Sequence, residues 1–185
     1  MTGGALVLAA GASRRFGSDK RQYMLNDKPL LAHCLSAAAE AGLELRVCVA
    51  PGETALIKSI APVRCQYIEC SNARSGMGAT LAQGVSNCSD WSALLVVLGD
   101  MAWVQPTTYA AVFAALDHAT IAQPHFAGRP GQPVGFCAEH FPALSALNGD
   151  RGGRDLLRRY QDRVAVLQVD DPGILKDIDR PPVQD

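Results

Sequence analysis

Residues 8–20 read Leu-Ala-Ala-Gly-Ala-Ser-Arg-Arg-Phe-Gly-Ser-Asp-Lys and follow directly on an apolar run of strand length. Gly11 and Gly17 allow the conformations that a tight anion-binding turn needs, and small neighbours let the backbone come close to a ligand. Arg14, Arg15 and Lys20 bring fixed positive charge to the same place. Backbone N–H groups and converging cations at the carboxyl end of a strand describe a phosphate cradle; the plainer alternative is a basic loop. Five residues separate Gly11 from Gly17, and Lys20 comes three later. That spacing is not a Walker A loop. The G-x-G-x-x-G dinucleotide pattern is absent as well, so nothing supports hydride transfer with a Rossmann cofactor.

A second group of candidates follows the other strongly apolar run, Ala93–Leu98, in Gly99-Asp100-Met101. Ligands of open α/β sheets sit outside the carboxyl ends of the strands, so Asp100 is the acid expected to face whatever the first loop holds. A carboxylate beside a polyphosphate repels it unless a divalent cation stands between them. Mg²⁺ needs only one or two protein carboxylates, because waters and phosphate oxygens complete its shell. Near the C-terminus, Asp177 and Asp179 alternate in an extended stretch and would share one face; they are either metal ligands or a solvated acidic tail. Arg154 and Arg158, four apart, would share a helix face suited to an acceptor phosphate. Asp155 and Arg159 offer the competing picture of an ion-paired surface helix.

The elements that must position these groups follow from periodicity. Strands are predicted at Ala5–Ala10, Leu45–Ala50, Cys65–Glu69 and Ala93–Leu98, and helices at Pro29–Ala41, Glu53–Ile60, Gly78–Asn87 and Pro106–Leu116. Alternating strands and helices imply right-handed crossovers and a three-layer α/β/α architecture around a mostly parallel, doubly wound sheet. Later strands at Thr120–Ala122, Pro133–Cys137 and Val164–Val169, with helices at Glu139–Leu147 and Gly153–Tyr160, are expected to add an antiparallel edge and a lid.

With 185 residues and 48% apolar content, one buried core and a single domain over 1–185 are expected. The net charge of −1 offers no basic field for nucleic acid, so a small-molecule partner is the better expectation. No apolar stretch has membrane-spanning length, and no signal-like segment opens the chain, which suggests a cytoplasmic location. The six cysteines have neither C-x-x-C nor zinc spacing. They are expected to be reduced and mostly buried.

The pattern L-A-A-G-x-S-x-R-x-G-x-x-K of residues 8–20 resembles the molybdenum-cofactor nucleotidyltransferase-like family, which includes the cytidylyl- and guanylyltransferases of molybdopterin. Five further segments resemble the family. Gly99-Asp100-Met101 resembles its G-D-M-P, with Ala102 replacing proline. Ser75–Gly84 resembles the G-M-x-x-S/T-L-x-x-G loop that lines the base and ribose. Gly128–Val134 resembles R-G-H-P-V, with Gln132 for histidine, and Gly149–Arg154 resembles G-D-x-G-A-R. Asp177-Ile178-Asp179 keeps the first half of D-I-D-T-P-E-D.

The resemblance implies a nucleotide-diphospho-sugar transferase-like sheet and transfer of a nucleoside monophosphate to a phosphorylated acceptor. Arg15 and Lys20 would grip the triphosphate, and Asp100 and Asp179 would hold Mg²⁺. Leu8, Ala9, Ala10, Gly11, Ser13, Gly76, Gly78, Thr80 and Gly99 would line the nucleotide, and Gln132 and Arg154 would meet the acceptor. Ala9-Ala10 points to CTP within the family, and hence to molybdopterin as acceptor and a molybdoenzyme as the recipient of the product. The alternatives are a different sugar or alcohol phosphate acceptor, or an accessory protein that binds nucleotide or molybdopterin without turnover.

Overall fold

The protein is described by a computed structural model covering residues 1–11, 16–150 and 152–178. In chain order the strands are β1 (Gly3–Leu8), β2 (Met24–Leu25), β3 (Lys28–Pro29), β4 (Glu44–Val49), β5 (Gln66–Glu69), β6 (Ala93–Leu98), β7 (Ile121–Phe126), β8 (Arg129–Pro130), β9 (Val134–Cys137) and β10 (Val164–Gln168). The helices are α1 (Leu30–Glu40), α2 (Thr54–Ile60), α3 (Met77–Ser86), α4 (Pro106–Ala115), α5 (Phe141–Ser145) and α6 (Arg154–Arg159).

The apolar run of β1 becomes a strand buried on both faces, as a central parallel strand requires. Ala5, Leu6 and Val7 are fully buried, with β4 and β6 parallel on either side. Alternation sends Ala5 and Val7 toward Leu31 and Leu35 of α1, Ile57 of α2 and Tyr109 and Val112 of α4. Leu6 points the other way, toward Leu81 and Val85 of α3, Leu144 of α5 and Leu156 of α6. Two apolar layers thus sandwich one sheet, as the three-layer reading expected. Helix α1 stops where Gly42, at φ +79°, closes a turn in which Gly42 N–H and Leu43 N–H donate to Ala39 O and Ala38 O.

The strand order is β10-β7-β9-β6-β1-β4-β5, with β8 beside β7. One expectation is corrected. The antiparallel strand is interior: β9 lies between β6 and β7 and runs against both, whereas the edge strand β10 is parallel to β7. The reason is burial. Val134, Gly135 and Phe136 are all buried, and a Cβ on Gly135 would meet Leu116 Cδ1 at 2.9 Å and Leu95 Cδ2 at 3.1 Å. That close packing holds the strand inside the sheet. The turn that feeds it carries Ala127 and Gly128 at φ +49° and +75°, and a cis Gln132–Pro133 peptide precedes β9.

Residues 169–178 form a strap held against the sheet and the segment after β6. Val169 N–H donates to His125 O at 3.0 Å, and Gln132 N–H donates to Ile174 O at 3.0 Å. Buried Asp171 fastens the strap to the segment between β6 and α4. Its Oδ2 accepts from Gln105 N–H (2.9 Å) and Thr108 Oγ1 (2.7 Å), and its Oδ1 accepts from Gly173 N–H (2.9 Å). Gly173 comes so close to Trp103 O that a Cβ would lie 2.1 Å from it. Among the described residues, no helix is long and apolar enough to cross a membrane. None of the six cysteines is in a disulfide, and Cys34, Cys48, Cys70 and Cys88 are buried.

The Asp171 clasp gives a stability prediction. Asp171→Ala leaves buried donors unmatched and should lower unfolding stability by about 2–4 kcal/mol. Urea unfolding measures it, and a loss under about 1 kcal/mol would show that the strap is not held this way.

Candidate active site

Registry places the site. Leu8 pairs with Leu98, so β1 and β6 end side by side and their loops leave the same edge of the sheet. Gly99 N–H donates to Leu8 O at 3.2 Å, and a Cβ on Gly99 would lie 3.1 Å from that oxygen and 3.5 Å from Ala9 Cβ. Gly99 is thus the residue that lets the two loops touch. Eighty positions apart in sequence, Lys20 Nζ and Asp100 Oδ2 form an ion pair at 2.5 Å. Their side chains are 22% and 17% exposed. The other oxygen, Asp100 Oδ1, is buried with no hydrogen-bond partner. A buried carboxylate oxygen left unmatched carries a desolvation penalty that a cation or donor would relieve.

Lys20 opens a 3-10 turn, Lys20–Gln22, capped by Asp19, whose Oδ1 accepts from Arg21 N–H at 3.1 Å. The turn leads into the β2–β3 hairpin, whose Asn26 and Asp27 both have positive φ, as a two-residue type I′ turn requires. Phe16 re-enters the core against Leu30 and Ile178 and meets Tyr23 edge-on at 5.4 Å. Gly17 has φ +78°, the left-handed conformation expected of a glycine in the cradle. Ser13, Arg14 and Arg15 lie outside the described residues.

Ala9 and Ala10 are buried where β1 ends. Both backbone groups of Ala9 are used within the protein: its N–H donates to Cys48 O at 2.9 Å, and its carbonyl accepts from Arg21 Nη1 at 2.7 Å. Gly11 is exposed, with open space where a Cβ would go.

The 75–84 segment starts α3 and packs against a second expected motif. Gly78 N–H donates to Gly149 O at 2.7 Å. A Cβ on Gly76 would fall 2.3 Å from Asp150 Oδ1, and one on Gly78 would fall 2.8 Å from Asn148 O and Gly149 O. These glycines therefore join the expected base loop to the turn that leads to Arg154. Thr80 is buried, its hydroxyl donating to Gly76 O at 3.3 Å.

On the far side, Val134 pairs with Val96, so the residues just before β9 continue past the edge from which Asp100 departs. Gln132 stands there with its Oε1 buried and unmatched. Arg154 is exposed at the first turn of α6, and Arg158 makes a long 3.8 Å contact with Asp155, so the surface ion-pair picture holds for Arg158. Asp177 is exposed, next to buried Ile178; Asp179 lies outside the described residues. Among the described residues, no group of three or more His, Cys, Asp or Glu side chains is placed to hold a metal. Asp100, with its unmatched oxygen, is the described carboxylate that fits one.

Sequence reasoning missed Arg21, Glu53 and Asp171. Burial opposes the charge of Arg21, but its hydrogen bonds to the carboxylates of Asp19 and Glu53 outweigh it and push its pKa up. Burial would likewise raise Asp19, yet the Arg21 guanidinium holds that carboxyl below its ordinary value. Asp171-Pro172-Gly173 did carry a turn signature in the sequence. Nearby Cys34, whose thiol lies 3.5 Å from Leu98 O, has its pKa pushed up to about 12 by burial, which excludes it as a thiolate nucleophile at neutral pH.

Residues 5–164 match the family described as the MobA-like NTP transferase domain. The chain belongs to this family. It is 30% identical over 187 residues to the purine catabolism protein PucB of Bacillus subtilis, covering 95% of this chain and 91% of PucB. Among solved structures, Rv0371c from Mycobacterium tuberculosis superposes with a TM-score of 0.85 at 24% identity, over 97% of this chain and 94% of that one. A nucleotidyl transferase from Methanothermobacter gives 0.80 at 19% identity, over 97% and 92%. The domain is thus nucleotidyltransferase-like in sequence family and in fold.

The contact between the 76–78 segment and the 148–150 turn is open to test. Gly78→Ala forces backbone apart and should destabilise the protein by about 1–3 kcal/mol. Chemical denaturation reads this directly; unchanged stability would mean that the two segments are not packed as described.

Proposed function

We propose that this chain is a single nucleotidyltransferase domain, residues 1–185, that transfers a nucleoside monophosphate from CTP to molybdopterin and releases pyrophosphate. The observation that carries the reading is the Lys20–Asp100 pair at the joined ends of β1 and β6, with Asp100 Oδ1 buried and unmatched. A terminal phosphate of the acceptor attacks the α-phosphorus; the new P–O–P bond forms as the bond to the β-phosphate oxygen breaks, and pyrophosphate leaves. The reaction needs no covalent nucleophile from the protein, so catalysis rests on positioning and on neutralising charge.

Lys20 and Arg15 grip the β- and γ-phosphates, with Lys20 exchanging part of its contact with Asp100 for phosphate oxygens. Asp100 and Asp179 would hold a divalent cation. Such a cation, when bound, neutralises charge on substrate and leaving-group oxygens. Magnesium is the cation we favour; a structure of the Mycobacterium tuberculosis protein Rv0371c contains manganese, which supports the divalent class. Backbone N–H groups near Ala10–Ala12 would assist at the phosphates. Leu8, Ala9, Ala10, Gly11, Ser13, Gly76, Gly78, Thr80 and Gly99 frame the nucleotide, and the small Ala10 sets the room left for the base. Gln132, with an oxygen lacking a donor, and exposed Arg154 receive the acceptor. A molybdoenzyme is the proposed recipient of the product.

Pyrophosphate release from CTP with Mg²⁺ and molybdopterin tests the assignment. Lys20→Ala and Asp100→Ala should each lose at least about 10²-fold in turnover while remaining folded. Unchanged activity in either purified variant contradicts the mechanism. Turnover with GTP alone, or with a sugar or alcohol phosphate alone, corrects the substrate. Binding of nucleotide without pyrophosphate release would make the protein an accessory binder.

A further inference from the structure

The loop that would grip the triphosphate is tied down by one buried guanidinium. Arg21 is only 7% exposed. Its Nε and Nη2 donate to the two oxygens of Asp19 at 2.7 and 2.8 Å, a fork-to-fork pair. Its Nη1 donates to Ala9 O at 2.7 Å and to Glu53 Oε2 at 2.5 Å. These partners come from three places: the end of β1, the residue immediately before Lys20, and the residue that precedes α2. Ala9 follows β1 directly and Asp19 directly precedes Lys20.

We propose that Arg21 is a positioning residue for Lys20, an inference that rests on the nucleotide-transfer reading. By holding both Ala9 O and the Asp19 carboxylate, Arg21 ties the end of β1 to the start of the Lys20–Gln22 turn and fixes where Lys20 stands. Glu53 supplies the counter-charge from the loop after β4, so the clamp also registers the cradle against the neighbouring strand. Lysine cannot replace it: an ammonium offers a point charge, whereas the planar guanidinium fork serves four acceptor atoms of three residues at fixed angles. Arg21 itself is buried beneath the cradle and acts through Lys20.

Because the effect passes through Lys20, it must disappear when Lys20 is absent. That separates positioning from general stabilisation. Calorimetric titration with CTP and Mg²⁺ would compare the wild type, Arg21→Lys, Lys20→Met and the double variant. Arg21→Lys should weaken binding about tenfold or more, and the double variant should bind within about twofold of Lys20→Met alone. Asp19→Asn, which keeps the contacts of Arg21 to Ala9 and Glu53, should show the same lack of additivity at smaller amplitude and guards against a fold defect in Arg21→Lys. Unchanged affinity in Arg21→Lys, or losses that multiply in the double variant, overturns the inference and leaves the nucleotide reading standing. A wild type that binds no nucleoside triphosphate overturns both.

Discussion

The parallel pairing of β1 with β6 is the constraint on which the site depends. Leu8 opposite Leu98 means that two chain segments far apart in sequence emerge at one edge within reach of each other. Gly99 allows the contact by keeping its own side of the approach empty, and Lys20 and Asp100 then meet across it. Opposite charges so placed stabilise each other, and each is also a group that a metal-bound polyphosphate would engage. The arrangement is therefore stable in itself and ready to exchange partners.

Around that contact the protein adds rigidity from directions that the strands alone do not supply. Arg21 ties together Ala9, Asp19 and Glu53. The strap fixes the segment after Asp100 through Asp171 and lays Ile178 against Phe16 and Leu30. Helix α3 is registered against the 148–150 turn by two glycines that nearly touch it. Transfer chemistry without a covalent nucleophile places its demands on such positioning. Burial favours the protonated thiol of Cys34, near Asp100, in keeping with this.

Much of this was legible in the sequence, for physical reasons. Apolar runs such as Ala93–Leu98 can only be central strands, and that strand forms with those very bounds. An acid one residue beyond such a strand leaves from the carboxyl edge of the sheet, so Asp100 could be singled out. What stayed hidden depends on partners distant in sequence. Arg21 meets Glu53 across 32 positions, and Asp171 meets Gln105 and Thr108 across 66 and 63. A charged side chain in a polar segment gives no local sign of which of these will bury it. The short run Val134-Gly135-Phe136 fits an edge or an interior strand equally well, and only the packing of Gly135 against Leu95 and Leu116 decides between them. The Asn26-Asp27 hairpin carried a turn signal, but its strands are two residues each, too short for alternation to register.

The central claim is that the chain moves a nucleotidyl group, and phosphorus NMR of a complete reaction tests it most directly. With CTP, Mg²⁺ and molybdopterin, the account predicts free pyrophosphate together with a new pair of coupled resonances from the P–O–P linkage in the product. Orthophosphate with CDP, or a CTP spectrum that persists unchanged with fully bound protein, would contradict it.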